Sequence, residues 1–348
     1  MEKSGTNGVQ NSAAWLIITV LSVIILKSLD FIFIPFSIAL LVFFALGIPV
    51  DFLKRFRIPS WLRIMLVVLA MLGVIYLCGR LVQANAQEFV RQLPQLEKKF
   101  WDYTAQGLGF FDMNVDEAKT MIAAFVGNLD GAGIMPVGGV LKKLGASFFE
   151  FLGNFFWVLL FLGFILAERE SWEGRLVKAL GRERSEAALA AGSRISQAIE
   201  HYLGLKTMIS LITGGMAALI LWLFGVEFAL LWGVLTFFLN FIPNIGSLIA
   251  TVPPVAMALF QFGSVRHALL VAGVLILLQM VVGNFLEPKL MGTGLNLSPL
   301  VVLLALIFWG WLWGPVGMLL AVPLTAVVKI ALEQNEATRP VAGIMSGE

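Results

Sequence analysis

Apolar runs long enough to cross a bilayer alternate with short polar breaks along most of this chain. Residues 13–29 and 31–50 form a first helical pair that turns at 27–30, and 61–82, 148–167 and 205–224 are a third, fourth and fifth span. A further intact apolar helix covers 268–286. Runs of this length predict transmembrane helices, since about 20 residues cross a hydrocarbon core of about 30 Å. Two runs differ from the rest. Residues 228–260 and 299–330 are each about 32 residues long, roughly 48 Å as one helix, which fits one straight crossing poorly. Each is interrupted near its middle, the first at Phe241-Ile-Pro-Asn-Ile-Gly246 and the second at Trp311-Leu-Trp-Gly-Pro-Val-Gly317. Proline lacks the N–H a helix needs, and glycine allows angles and approaches that a side chain forbids. Each run therefore either enters the bilayer, turns and leaves by the same face, or is two short spans. Broken backbone at membrane depth is tolerated only against protein or a watery cavity, and paired interruptions point to a transporter's binding site. The expectation is that Pro243, Gly246, Pro315 and Gly317 form two tips meeting near the bilayer midplane.

Two polar stretches interrupt the pattern. From 83 to 147 the apolar positions Phe89, Leu93, Leu96, Phe100 and Tyr103 recur at helical spacing. Asn114 with Glu117 reads as a capping box opening a second helix. These predict a small helical subdomain. The segment 168–204 is charged, with Leu189, Ile195, Ile199 and Leu203 on one face, and reads as an amphipathic helix on the membrane surface. The organisation is thus a disordered 1–12, three spans in 13–82, the subdomain 83–147, a span at 148–167, the amphipathic 168–204, a transport region 205–332 and a tail 333–348. The fold class is all-α: a polytopic helical membrane protein with about eight membrane segments.

Composition narrows the function. Of 348 residues, 59% are hydrophobic and 13% charged, about half the charged content of soluble domains. Cys78 is the single cysteine, and His201 and His267 are the two histidines, so neither a disulfide nor a Cys/His metal site is expected. No Walker A loop, catalytic triad or paired-carboxylate site is present, so the chain reads as neither an enzyme nor a nucleotide-driven pump, with no cofactor. The first apolar run lacks a small-residue cleavage site and is read as a retained span.

Basic residues orient the chain. Lys54, Arg55, Arg57 and Arg63 in one loop, and Arg169 to Lys206 two spans later, share a side, which the positive-inside rule makes the cytoplasm. Both termini are then cytoplasmic, the 83–147 subdomain is extracytoplasmic, and the 228–260 run begins outside.

Polar groups inside apolar runs are costly and mark pathways. The candidates are Asn240 and Asn244 around Pro243, Gln279, Asn284, and the pair Glu287 and Lys289. Asn and Gln amides donate and accept, which suits a small neutral polar solute. They equally suit satisfaction of the broken backbone. Glu287 lies three residues beyond Asn284, on the same face of a regular helix. It reads either as a coupling carboxylate that carries a proton or as an interfacial partner of Lys289. The aromatics Phe308, Trp309, Trp311 and Trp313 read as packing or a cavity wall rather than a binding box.

Three motifs in this order resemble one family: Phe241-Ile-Pro-Asn-Ile-Gly246, Gly283-Asn-Phe-Leu-Glu-Pro-Lys-Leu-Met-Gly292 and Gly314-Pro-Val-Gly-Met-Leu-Leu-Ala-Val-Pro323, joined by His201-Tyr-Leu-Gly-Leu-Lys206. The chain is similar to the autoinducer-2 exporter family of bacterial permeases over nearly its whole length. The resemblance implies an inner-membrane homopentamer, export of the signal autoinducer-2 and a mobile part sliding on an oligomeric scaffold. Na⁺(Li⁺)/H⁺ antiport is the alternative within the family, and a passive pore or non-transporting scaffold the second. Gly47-Ile-Pro49 departs from the Asn-Pro of many relatives, so no function is carried to that position.

Overall fold

The computed structural model describes residues 17–18, 20–108, 137–243, 245–291, 295–334 and 336–347. Outside them lie the polar N-terminus, the capping-box pair Asn114 and Glu117, and Asn244. Every described element is helical. In chain order these are α1 (20–28), α2 (Asp30–Leu53), α3 (Ser60–Leu108), α4 (Val137–Leu180), α5 (Arg182–Leu223), α6 (Ala229–Leu239), α7 (Ile245–Phe262), α8 (Val265–Val281), α9 (Glu287–Met291), α10 (Pro299–Glu333) and α11 (Arg339–Ile344). A 3₁₀ turn follows α2 at Lys54–Phe56, and a π turn at Val282–Leu286 joins α8 to α9.

Among the described residues six helices are long and apolar enough to cross a membrane, and Phe155–Glu168 and Ala229–Leu239 are shorter apolar helices. The expected turn at 27–30 is a break at Leu29, whose φ of −111° and ψ of 32° lie off the helix. The helices of 49, 44 and 42 residues are about 74, 66 and 63 Å long. Each is about twice the thickness of a hydrocarbon core. The spans 61–82 and 148–167 thus continue unbroken into the polar segments beside them, and Gly181 divides 168–204 between α4 and α5.

The chain forms two compact units: residues 1–57, 152–204 and 293–348, and residues 58–151 and 205–292. The helix α5 contributes to both. In the first unit Phe36 of α2 meets Phe161 of α4 edge-on at 5.6 Å, and α11 buries Ala342. In the second, Ala217, Leu221, Val226, Trp232, Met257, Ala258, Val271 and Leu275 form one apolar cluster drawn from α5 to α8.

Candidate functional site

The second unit contains the first broken run as a helical hairpin. Helix α6 stops at Asn240, and α7 starts at Ile245. Gln261, at the far end of α7, closes the base: its Nε2 donates to the Gly225 carbonyl at 2.8 Å and its Oε1 accepts from the Glu227 N–H at 2.9 Å. In a straight helix residues 227 and 261 would be about 50 Å apart, so the run folds back on itself. Pro243, half-buried, occupies the turn, and buried Gly246 lies so close to the Leu239 carbonyl that an added Cβ would overlap it.

One face of α5 organises the polar groups near this tip. Lys206, Ser210, Thr213, Ala217 and Leu221 are each 2% exposed or less. Their spacing of three and four residues places them along one helix stripe. Its apolar end joins the hydrophobic cluster, and its polar end meets the tip. Asn240 Nδ2 donates to Ser210 Oγ at 3.0 Å, both groups buried. One turn away, Lys206 Nζ donates to Glu287 Oε1 in an ion pair. Asn240 and Glu287, distant in sequence, therefore meet α5 at residues about one helical turn apart. The 17 residues of α8 cover about 26 Å between the hairpin base and this level.

The Glu287 contact corrects the expected pairing. The carboxylate is taken by Lys206, while Lys289 is exposed. The cause is the π turn at Val282–Leu286, in which the Glu287 N–H reaches back to the Val282 carbonyl, five residues earlier. The wider turn removes the three-residue register that put Asn284 and Glu287 on one face. Asn284 is exposed, Glu287 turns toward α5, and Gln279 is half-buried one turn before the π segment. A buried ammonium without its partner is strongly destabilising, so Lys206 needs this carboxylate.

The second broken run is likewise a hairpin, in the first unit. Trp309 Nε1 donates to Thr325 Oγ1 at 3.1 Å, although 16 residues of straight helix separate positions by about 24 Å. Lys329, 4% exposed, donates to the Asn296 carbonyl at 2.7 Å at the base. The tip is Trp313-Gly314, and Gly314 has φ 64° and ψ −147°, a conformation essentially reserved for glycine. Pro315 follows, exposed, and buried Gly317 packs so that an added Cβ would overlap the Trp309 carbonyl. The aromatic group anchors this hairpin: Trp313 Nε1 donates to the Leu26 carbonyl at 3.0 Å, and Lys27 Nζ lies 3.8 Å over the Trp311 ring.

Sequence comparison supplies the kinship. The profile of the AI-2E family transporters matches residues 15–336. The chain belongs to the AI-2E transporter family. Its members are membrane-bound transport proteins and not enzymes. The chain is 37% identical over 333 residues to the AI-2 transport protein TqsA of Escherichia coli, covering 93% of each. It is 36% identical over 321 residues, 90% of each chain, to a Haemophilus influenzae protein provisionally named a transport protein. YhhT of Escherichia coli, also provisionally named a transport protein, is 49% identical over 148 residues, 42% of each chain.

In this AI-2E transporter Asn240 and Glu287 join one seam. Sequence reasoning missed two members, Lys206 and Ser210. Their signal was present: Lys206, Ser210 and Thr213 recur at helical spacing at the start of the 205–224 span, but Lys206 read as the last residue of a charged segment.

Proposed function

We propose that this transporter exports a small, neutral, polar signalling solute, autoinducer-2, from the bacterial cytoplasm across the inner membrane. The observation that carries the reading is the convergence of Asn240, Ser210, Lys206 and Glu287 on one face of α5, beside the tip of the first hairpin and next to the apolar cluster of α5 to α8. Amides and hydroxyls that both donate and accept suit a neutral polyol better than a hydrocarbon or a multiply charged anion. The similarity to TqsA, which is named for AI-2 transport, supports the same solute. On this reading Asn240, Asn244, Gln279 and Asn284 contact the solute, and Pro243 and Gly246 shape the first tip. Pro315 and Gly317 shape the second. Both termini are cytoplasmic and the assembly is a homopentamer.

Antiport of Na⁺ or Li⁺ against protons through Glu287 is the competing outcome, and the Lys206 ammonium on that carboxylate weighs against an open cation seat. Proteoliposomes separate the readings. Accumulation of autoinducer-2 that falls in Asn240→Ala supports export. Sodium-dependent proton flux without solute flux supports antiport, and neither flux leaves a scaffold.

A further inference from the structure

Lys206 is the most deeply buried large side chain of the polar seam, at 2% exposed, and its partner Glu287 is 25% exposed. Glu287 immediately follows the π turn. Inserting one residue into a helical turn rotates everything after it by about 100° about the axis. Here the insertion is what aims Glu287 at α5. π turns are rare, occur mostly as single turns and are frequent at functional sites, and a contact made only in the π register favours one over the regular helix. The ion pair is such a contact, because a regular helix through 282–286 would carry Glu287 away from a buried ammonium. Asn284 lies in the middle of the same π turn, exposed.

We infer that Lys206 is a positioning residue of the solute pathway: through Glu287 it holds the π turn, and the π turn presents Asn284 on the open face of its helix. This deepens the proposed transport reading and rests on it for the role of Asn284. The rotational setting itself is testable without any solute.

The test uses the full-length protein with Cys78→Ser, purified into nanodiscs, and a water-soluble maleimide. Asn284→Cys reports the π turn. Arg266→Cys, exposed at the start of α8, reports the helix upstream of it. With Lys206 intact, Asn284→Cys should label readily. Lys206→Met should slow that labelling about tenfold, as the π conformer falls to a minority of about a tenth, and should leave Arg266→Cys unchanged. The double variant Lys206→Met/Glu287→Gln, which leaves no buried charge behind, should show the same loss. Lys206→Arg and the swap Lys206→Glu/Glu287→Lys should restore it. Unaltered labelling of Asn284→Cys in both Met variants would overturn the inference. So would parallel changes at both reporters, or failure of Asn284→Cys to label with Lys206 present. Failure of autoinducer-2 flux alongside the expected labelling would remove the export reading and leave the positioning role standing.

Discussion

Replacing Gly317 by alanine tests the second hairpin at its tightest point. A Cβ at this position would overlap the Trp309 carbonyl and lie 3.0 Å from Trp313 Cβ, against a comfortable carbon–carbon separation of about 3.5–4.0 Å. The obstacle is main chain on the opposite arm, so no rotamer change relieves it. The arms must separate by about 1 Å or more, which strains the Gly314 turn and the Trp309–Thr325 hydrogen bond. Overpacking against side chains costs about 1–3 kcal/mol. A backbone obstacle belongs at the upper end, about 3 kcal/mol, or about a hundredfold in the folded-to-unfolded ratio. Gly273→Ala is the control: nothing lies within 4 Å of its would-be Cβ, and alanine gains about 1 kcal/mol of helix propensity. Both variants keep their apolar runs and should insert. Detergent-solubilised protein, heated and then resolved by size exclusion, should lose its monodisperse peak at a clearly lower temperature in Gly317→Ala, and proteoliposome flux should fall with it. If Gly317→Ala matches Gly273→Ala in both assays, the two arms do not approach as described and the hairpin geometry is wrong.

Gly246→Ala should behave like Gly317→Ala, because its Cβ would overlap the Leu239 carbonyl; equal melting of the variant and its parent would refute the first hairpin's tip. Glu287→Gln should destabilise by about 3–5 kcal/mol by leaving Lys206 uncompensated, and Lys206→Met/Glu287→Gln should recover most of that in the same melt. A single variant as stable as the parent would show that the pair does not form. Ser210→Ala and Asn240→Ala should each cost about 1–3 kcal/mol through the orphaned partner, and their combination should cost less than the sum; strict additivity in a double-mutant cycle would deny the contact. In a Cys78→Ser background, cysteines at Arg57 and Arg184 should label only after permeabilisation, and labelling in intact cells would reverse the orientation and the direction of export.

The sequence by itself determined the class and the punctuation of this protein. Apolar run length dictates membrane helices, since hydrocarbon tolerates no unpaired backbone. Proline and glycine at Pro243, Gly246, Pro315 and Gly317 dictate where two runs break, because those residues act locally. Asn240 and Glu287 were legible for a similar reason: a polar group in an apolar run stands out whatever surrounds it. Tertiary structure decided whether each broken run crosses or returns, since contacts such as Gln261 with Gly225 and Trp309 with Thr325 join positions far apart in the chain. It also chose the partner of Glu287. Sequence spacing offered Lys289, two residues away, but a single π turn rotates the carboxylate toward Lys206, 81 positions earlier. A π insertion has no strong sequence signature, because its stability comes from the neighbour it reaches rather than from its own residues. Lys206 and Ser210 were hidden for the same reason: their importance lies in which face of α5 is covered, and only the packing of the first hairpin and α8 against that face decides it.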